Sequence, residues 1–405
     1  MSQPKGISKQ MIAEAAERLR PVITETKLIH SDVFSREFSN QVYIKPENLQ
    51  KTGAFKIRGA YNKIAQLDEA SKAHGVIASS AGNHAQGVAY AAREIGCDAT
   101  IVMPTATPLI KVNATKSLGA EVVLYGDCYD EAYEKALEIQ AEKKQTFIHP
   151  FNDIDVIAGQ ATIGSEILEE LPDADYVLVP VGGGGLISGI AYAVKQLNPN
   201  CKVFGVEPEG AMSMKTSMES GHIVRLDNIH TIADGVAVKE VGNLTFEFNQ
   251  NYVDGIIAVN DYDIMESFLM LIEKHKIVAE NAGALTIAAL KNFKVKDKKI
   301  VCVLSGGNID VVTVSAMINK GLSSRGRIFC FSVELPDTPG QLLRISQVLA
   351  DLKANVIKLD HNQFMNLDRF MHVQLQVTVE TNGHDHIQHL TDSLNDIGYQ
   401  VHRVY

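Results

Sequence analysis

DYVLVPVGGGGLISGIAYAVKQ (residues 175–196) reads as a short buried strand, a glycine turn and a helix. Four consecutive glycines clear side chains from the start of that helix. Backbone N–H groups there, helped by the helix dipole, can surround a phosphate. The alternative is a flexible turn. The stretch lacks the GK[ST] of a nucleotide phosphate loop, and it lacks G-x-G-x-x-G followed by a ribose-binding acid. A small phosphate ester suits it better than a dinucleotide.

The same rhythm runs outward on both sides. Residues 74–96 (HGVIASSAGNHAQGVAYAAREIG) predict a strand, a turn at Gly82 and a helix from about His84 to Ile95. CDATIVMP (97–104) and AEVVLYG (120–126) predict strands, with a helix closed by Gly119 between them. Residues 127–144 form an amphipathic helical pattern. CKVFGVEPEG (201–210), DGIIAVN (254–260) and KKIVCVLSGGNIDVVTVSAMINKG (298–321) continue the alternation. Short apolar strands alternating with helices imply parallel sheets covered on both faces.

GLSSRGR (321–327) breaks the rhythm and reads as a linker. Beyond it the order is strand (327–337), helix with Pro339 near its first turn, strands over 355–364 and 368–380, helix, and a last strand. That is the β-α-β-β-α-β ferredoxin-like split unit. The expected organisation is therefore a catalytic part over 1–322, with a smaller lobe inserted at about 50–150. A connector at 323–328 and a small domain over 329–405 follow.

The bulk numbers fit a folded α/β protein: 405 residues, 45% hydrophobic and 21% charged. A net charge of −10 without a basic block argues against nucleic acid or an anionic membrane as partner. The N-terminal stretch has no uninterrupted apolar core, so no secretory signal is expected, and no transmembrane helix either. The five cysteines are scattered without a C-x-x-C pair, which reads as reduced thiols in a cytoplasmic protein with no zinc site.

Two further segments can carry chemistry. In ENLQKTGAFKIRGAYNKI (47–64), Lys56 lies in a small, partly apolar, glycine-flanked context. A lone lysine is ordinarily a solvated surface charge; a catalytic amine needs a desolvated pocket that lowers its pKa. In SSAGNHAQG (79–87), Ser80, Gly82, Asn83 and His84 can present backbone N–H groups to a carboxylate, or form an ordinary helix cap.

With LSGGNID (304–310), these motifs occur in the order seen in the fold-type II pyridoxal-phosphate enzymes, and the chain resembles their threonine and serine ammonia-lyases over residues 10–322. The resemblance implies two parallel-sheet lobes of the tryptophan synthase β-like type with pyridoxal 5'-phosphate between them. It implies Lys56 as the Schiff-base lysine, Phe55 packing beside the cofactor and Asn83 bonding its 3′-oxygen. Gly182, Gly183, Gly184, Gly185 and Leu186 would cup the phosphate, and the Ser305 hydroxyl would meet the ring nitrogen. Ser80, Ala81, Gly82, Asn83 and His84 would hold the substrate carboxylate. The implied reaction is α,β-elimination of water from L-threonine to give 2-oxobutanoate and ammonia, with Lys56 taking the α-proton and L-serine a secondary substrate. A serine facing the ring nitrogen leaves the ring a weaker electron sink than an aspartate would, which favours elimination over transamination.

Related serine racemases carry a second serine where Ala81 stands, so racemisation is not expected. Their acidic metal-binding residues lie near GVEPEGAMS; here Glu207 is present but Ser213 occupies an acidic position, and no metal is expected. Residues 329–405 resemble an ACT domain, an amino-acid-binding regulatory module, which implies effector contacts at Asp337, Thr338, Pro339, Gly340 and Asn355. By resemblance isoleucine is the expected inhibitor, valine a counter-ligand and adenine nucleotides the effectors of catabolic relatives. A purely structural dimerisation domain is the alternative. HDHIQH (384–389) is read as a solvated helix start, because positions two apart on a helix do not share a face. Expected partners are small molecules and further copies of the chain in a homotetramer. The rival functions are an L-serine ammonia-lyase, a β-replacement synthase and a non-enzymatic amino-acid sensor. Phe151 and Asn152 are expected near the substrate's β-substituent, where threonine and serine differ.

Overall fold

A computed structural model describes residues 6–362 and 372–405. Its strands are β1 (Ile29–His30), β2 (Gln41–Pro46), β3 (Val76–Ser79), β4 (Ala99–Met103), β5 (Glu121–Leu124), β6 (Thr146–Phe147), β7 (Tyr176–Pro180), β8 (Lys202–Pro208), β9 (Gly255–Val259), β10 (Lys299–Leu304), β11 (Ile328–Pro336), β12 (Asn355–Asn362), β13 (His372–Glu380) and β14 (Val401–Arg403). The chain forms two compact units, Met1–Asp310 and Val311–Tyr405.

The first unit holds two sheets. The larger has the order β1-β2-β10-β7-β8-β9 and is parallel except for β1 on β2. The smaller has the order β5-β4-β3-β6 and is entirely parallel. Val177, Leu178 and Val179 of β7 and Ile300 to Leu304 of β10 are fully buried. These continuous apolar runs are what central parallel strands require. Helix Gly185–Leu197 buries Leu186, Ile187, Ile190 and Val194 in the same core as Val177, Val179, Val301 and Val303. Each such aliphatic side chain contributes about 1.5–3 kcal/mol. The smaller sheet has a separate core, in which Val76, Ala78, Ile101 and Met103 meet Ala85, Val88 and Ala92 of helix Asn83–Ile95.

This arrangement decides where the motifs go. The Lys56 segment follows β2, SSAGNHAQG follows β3, the glycine run follows β7 and LSGGN follows β10. All four therefore leave the carboxyl ends of parallel strands, where open α/β sheets bind ligands.

The second unit contains β11, helix Gln341–Asp351, β12, β13, helix His384–Asp396 and β14, in an antiparallel sheet of order β12-β13-β11-β14. This is the expected β-α-β-β-α-β unit. Three details differ from the sequence reading. Helix Val311–Ser324 belongs to the second unit, because it packs on β11. The stretch read as a connector (323–328) is the end of that helix, a turn at Gly326 (φ 63°) and the first residue of β11. Pro339 precedes its helix, whose N-cap is Gly340 at φ 94°. The expected strand ends at 363–364 and 368–371 lie outside the described residues. No helix among the described residues is long and apolar enough to cross a membrane.

Candidate active site

Lys56 opens the helix Lys56–Ala65, with Phe55 at the N-cap. Its segment is stitched to the end of β10: Phe55 N–H donates to Ser305 O (3.1 Å), Gly307 N–H to Gly53 O (2.8 Å), and Ala54 pairs with Gly306. Phe55 is buried in the core of the large sheet, and Ser305 is buried beside it in the chain fold. The Lys56 ammonium nitrogen donates to Pro150 O at 2.9 Å and lies 5.1 Å from the centre of the Phe55 ring. Burial pushes the Lys56 amine down to about 8, against the opposing pull of Glu280. Two residues on, fully buried Arg58 bonds both oxygens of fully buried Glu47 at 2.8 Å and also reaches Glu166 and Thr162. This ion cluster anchors the lysine's helix to helix Ile154–Glu170.

The 79–87 segment turns from β3 into helix Asn83–Ile95, with Gly82 at an N-cap that no side chain fills. A Cβ built on Gly82 meets nothing within 4 Å, so the turn faces open space. The expected donor set needs correction. Ser80 N–H donates to Val102 O (3.2 Å), extending the β3–β4 pairing, and Gly82 N–H reaches Ser80 Oγ (3.3 Å). The His84 side chain is buried and its Nε2–H donates to Ile148 O (2.8 Å). Burial and Lys56 push that ring down to about 3, so it stays neutral. His84 can therefore offer a ligand its backbone N–H but not its ring. Ala81 packs against the small-lobe core.

Helix Gly185–Leu197 starts from Gly184 in the left-handed conformation (φ 91°), again without a side-chain cap. A Cβ on Gly183 would stand 2.2 Å from the Phe151 ring. Phe151 is held by His149, whose Nδ1 accepts from the N–H groups of Phe151 (3.2 Å) and Asn152 (2.8 Å). Its proton therefore sits on Nε2. Burial, reinforced by Lys56, holds this ring down at about 4. The turn that accepts the lysine thus also closes against the glycine run, bringing the amine and the uncapped helix start into one cleft. Asn152 Nδ2–H donates to Asn243 Oδ1 (2.8 Å), and Asn152 Oδ1 accepts from Leu244 N–H (3.0 Å).

These features fit pyridoxal phosphate. An uncapped helix N-terminus with glycines suits a dianionic phosphate, and a desolvated amine of lowered pKa suits covalent attachment to an aldehyde. Sequence reasoning missed four contributors: Pro150, His149, Glu280 and Asn308. Asn83 Nδ2–H donates to Glu280 Oε1 (2.7 Å), and Asn308 Nδ2–H donates to Asn83 Oδ1 (2.9 Å). Asn308 lies in LSGGNID (304–310), where its neighbours in sequence give no sign of a partner at Asn83. Glu280 precedes an apolar helix and reads as a plain cap.

Elsewhere, Glu207 is buried and accepts from Met214 N–H (2.8 Å) and Lys215 N–H (2.9 Å), capping helix Ser213–Ser220. Desolvation raises its carboxyl to about 7. In the second unit Asp337, Thr338, Pro339 and Gly340 are exposed. Thr338 N–H donates to Pro336 O (2.8 Å), and Asn355 Nδ2–H donates to Glu380 Oε2 (3.1 Å). His386 donates its Nε2–H to Leu352 O (2.8 Å), which ties the start of helix His384–Asp396 to the neighbouring helix.

Residues 19–306 match the family model described as "Pyridoxal-phosphate dependent enzyme". The chain is 48% identical over 396 residues to an L-threonine ammonia-lyase of Thermotoga maritima, covering 98% of this chain and 99% of that protein. It is 45% identical over 393 residues to an L-threonine ammonia-lyase of Geobacter sulfurreducens, covering 96% and 98%. Among solved structures it is similar to the processed form of threonine deaminase isoform 2 from Solanum lycopersicum, with a TM-score of 0.73 and 40% identity over 78% of this chain and 95% of that one. With the four motifs gathered around one half-buried lysine, these matches place the chain in the fold-type II pyridoxal-phosphate-dependent enzymes, within the threonine ammonia-lyase family.

Proposed function

We propose that this chain removes ammonia from L-threonine, yielding 2-oxobutanoate. The supporting observation is the Lys56 amine, desolvated and held by Pro150 O next to an uncapped glycine helix start. Pyridoxal phosphate, when bound, supplies a conjugated ring that draws electrons from the substrate's α-carbon. Lys56 would hold it covalently, with Phe55 beside the ring. The backbone of Gly182, Gly183, Gly184, Gly185 and Leu186 would take the phosphate. Asn83 Nδ2–H would bond the 3′-oxygen and Ser305 Oγ the ring nitrogen. The helix start at Ala81, Gly82, Asn83 and His84, with Ser80 Oγ, would receive the substrate carboxylate. The Lys56 nitrogen, once free, takes the α-proton; an amine whose pKa is near the working pH is suited to that transfer.

The test is 2-oxo-acid formation by the purified protein supplied with the cofactor. L-Threonine should be turned over. Turnover of L-serine with none of threonine would overturn the substrate assignment.

The second unit is proposed to be an ACT-type sensor whose loop at Asp337, Thr338, Pro339 and Gly340, with Asn355, contacts an amino-acid effector. Its strand–helix order and the exposed loop support this. Inhibition by isoleucine that Asn355→Ala weakens is the expected result; activity indifferent to isoleucine, valine and adenine nucleotides would leave the unit a structural role. A homotetramer in the cytoplasm is proposed on the family resemblance, with the mass of the species in solution as its check.

A further inference from the structure

Asn83 is gripped on both atoms of its side-chain amide. Its Nδ2 donates to Glu280 Oε1 at 2.7 Å, and its Oδ1 accepts from Asn308 Nδ2 at 2.9 Å. Asn308 is fixed in turn, because its second Nδ2 hydrogen goes to Thr52 O at 2.7 Å. The result is a bonded chain in which Asn308 donates both to the Thr52 carbonyl and to Asn83, and Asn83 donates on to Glu280. Rotating the Asn83 amide by half a turn would set its oxygen against the Glu280 carboxyl oxygen and its NH2 against that of Asn308. One orientation is therefore selected, and an amide nitrogen carries two hydrogens. One goes to Glu280; the other is left for a ligand.

The surroundings are built for this chain of bonds. Glu280 stands at the N-cap of helix Asn281–Ala289 yet makes no side-chain cap bond there, so its carboxyl is turned to Asn83 instead. A Cβ on Gly306 would lie 2.4 Å from Glu280 Oε1, and one on Gly53 would lie 2.3 Å from Asn308 Oδ1. Both glycines leave the room these side chains occupy. Glu280 N–H is also tied to Gly306 O at 3.0 Å. Lys56, Lys111 and Asp234 are the other charged groups acting on Glu280.

We propose that Glu280 and Asn308 are positioning residues that lock the Asn83 amide with one N–H directed to the cofactor's 3′-oxygen. This rests on the reading of Asn83 given above. A donor held to that oxygen stabilises its ionised form and lowers the pH at which it ionises.

The experiment titrates the visible absorbance band of the cofactor-loaded protein with pH, in single and paired variants. Asn83→Ala should raise the midpoint by about one unit. Asn308→Ala should raise it by less and should add nothing in the Asn83→Ala background; Glu280→Ala should raise it more in the wild-type background than in the Asn83→Ala background, where only the effect of its charge remains. Glu280→Gln keeps an acceptor oxygen and should restore most of the lock; it also serves if Glu280→Ala does not fold. Loss of a nearby negative charge would by itself lower the midpoint, and would do so in both backgrounds, so the two effects differ in sign and in additivity. If Asn83→Ala shifts the midpoint while Asn308→Ala and Glu280→Ala leave it alone, or act equally in both backgrounds, positioning is overturned and the Asn83 reading stands. An unshifted Asn83→Ala would sink both.

Discussion

The Lys56 ammonium donates to the Pro150 carbonyl at 2.9 Å, and the residue after that proline, Phe151, closes over Gly183. One short turn therefore positions the amine and shapes the glycine run. A half-buried lysine whose amine is desolvated and meets a single neutral acceptor is held in place without a counter-charge at contact distance. That is why desolvation outweighs the Coulombic pull of Glu280 and its pKa falls.

Lys56→Ala should abolish both the visible absorbance of the bound cofactor and 2-oxo-acid formation, with a fall of at least about 10³-fold as expected for losing an attachment point and a general base. Circular dichroism should stay unchanged. A variant retaining threonine turnover would remove Lys56 from the mechanism.

The lowered Lys56 value also predicts a pH dependence of stability in the cofactor-free protein. The folded amine titrates at about 8 and the unfolded one at the ordinary 10.5. Between these values the unfolded chain binds more protons, so the lysine's contribution to stability rises with pH across that window, and its burial penalty is complete below it. Urea unfolding of the wild type and Lys56→Met should show this: the stability advantage of the variant at pH 7 should shrink toward pH 10. A constant difference would mean that the amine is not desolvated.

Gly183→Ala places a methyl 2.2 Å from the half-buried Phe151 ring, at a buried position. The expected loss is about 1–3 kcal/mol, the usual cost of overpacking. Adding Phe151→Ala should recover part of it in thermal unfolding, because the clash partner is gone. Two independent, additive losses would show that the glycine serves backbone conformation alone.

Arg58→Met leaves Glu47 fully buried without its bidentate partner. Breaking a buried pair from one side costs about 3–5 kcal/mol, and denaturant unfolding should register it. Arg58→Lys should recover only part, since an ammonium cannot reproduce the two parallel bonds to Glu47.

Much of the site was legible because its parts are local in sequence. A strand, a glycine run and a helix in succession already imply an uncapped helix start, and Lys56 sits in a segment of small residues that can pack close to other backbone. The corrections came where a group's hydrogen bond is made to a distant partner. Ser80 N–H is engaged by Val102 through sheet pairing, and the His84 ring by Ile148. Neither partner can be inferred from the residues beside the motif.

By itself the sequence determined the alternation of strands and helices, the two-unit organisation and the four motifs, because hydrophobic period and turn chemistry act over a few neighbouring residues. The tertiary structure decided which groups face one another. Glu280 lies 197 positions from Asn83, and Asn308 lies 225 from it. Their meeting depends on the ends of β3 and β10 and the start of helix Asn281–Ala289 converging at one cleft. So too the lowered pKa of Lys56 is a product of burial, which exists only once the sheets have packed around it.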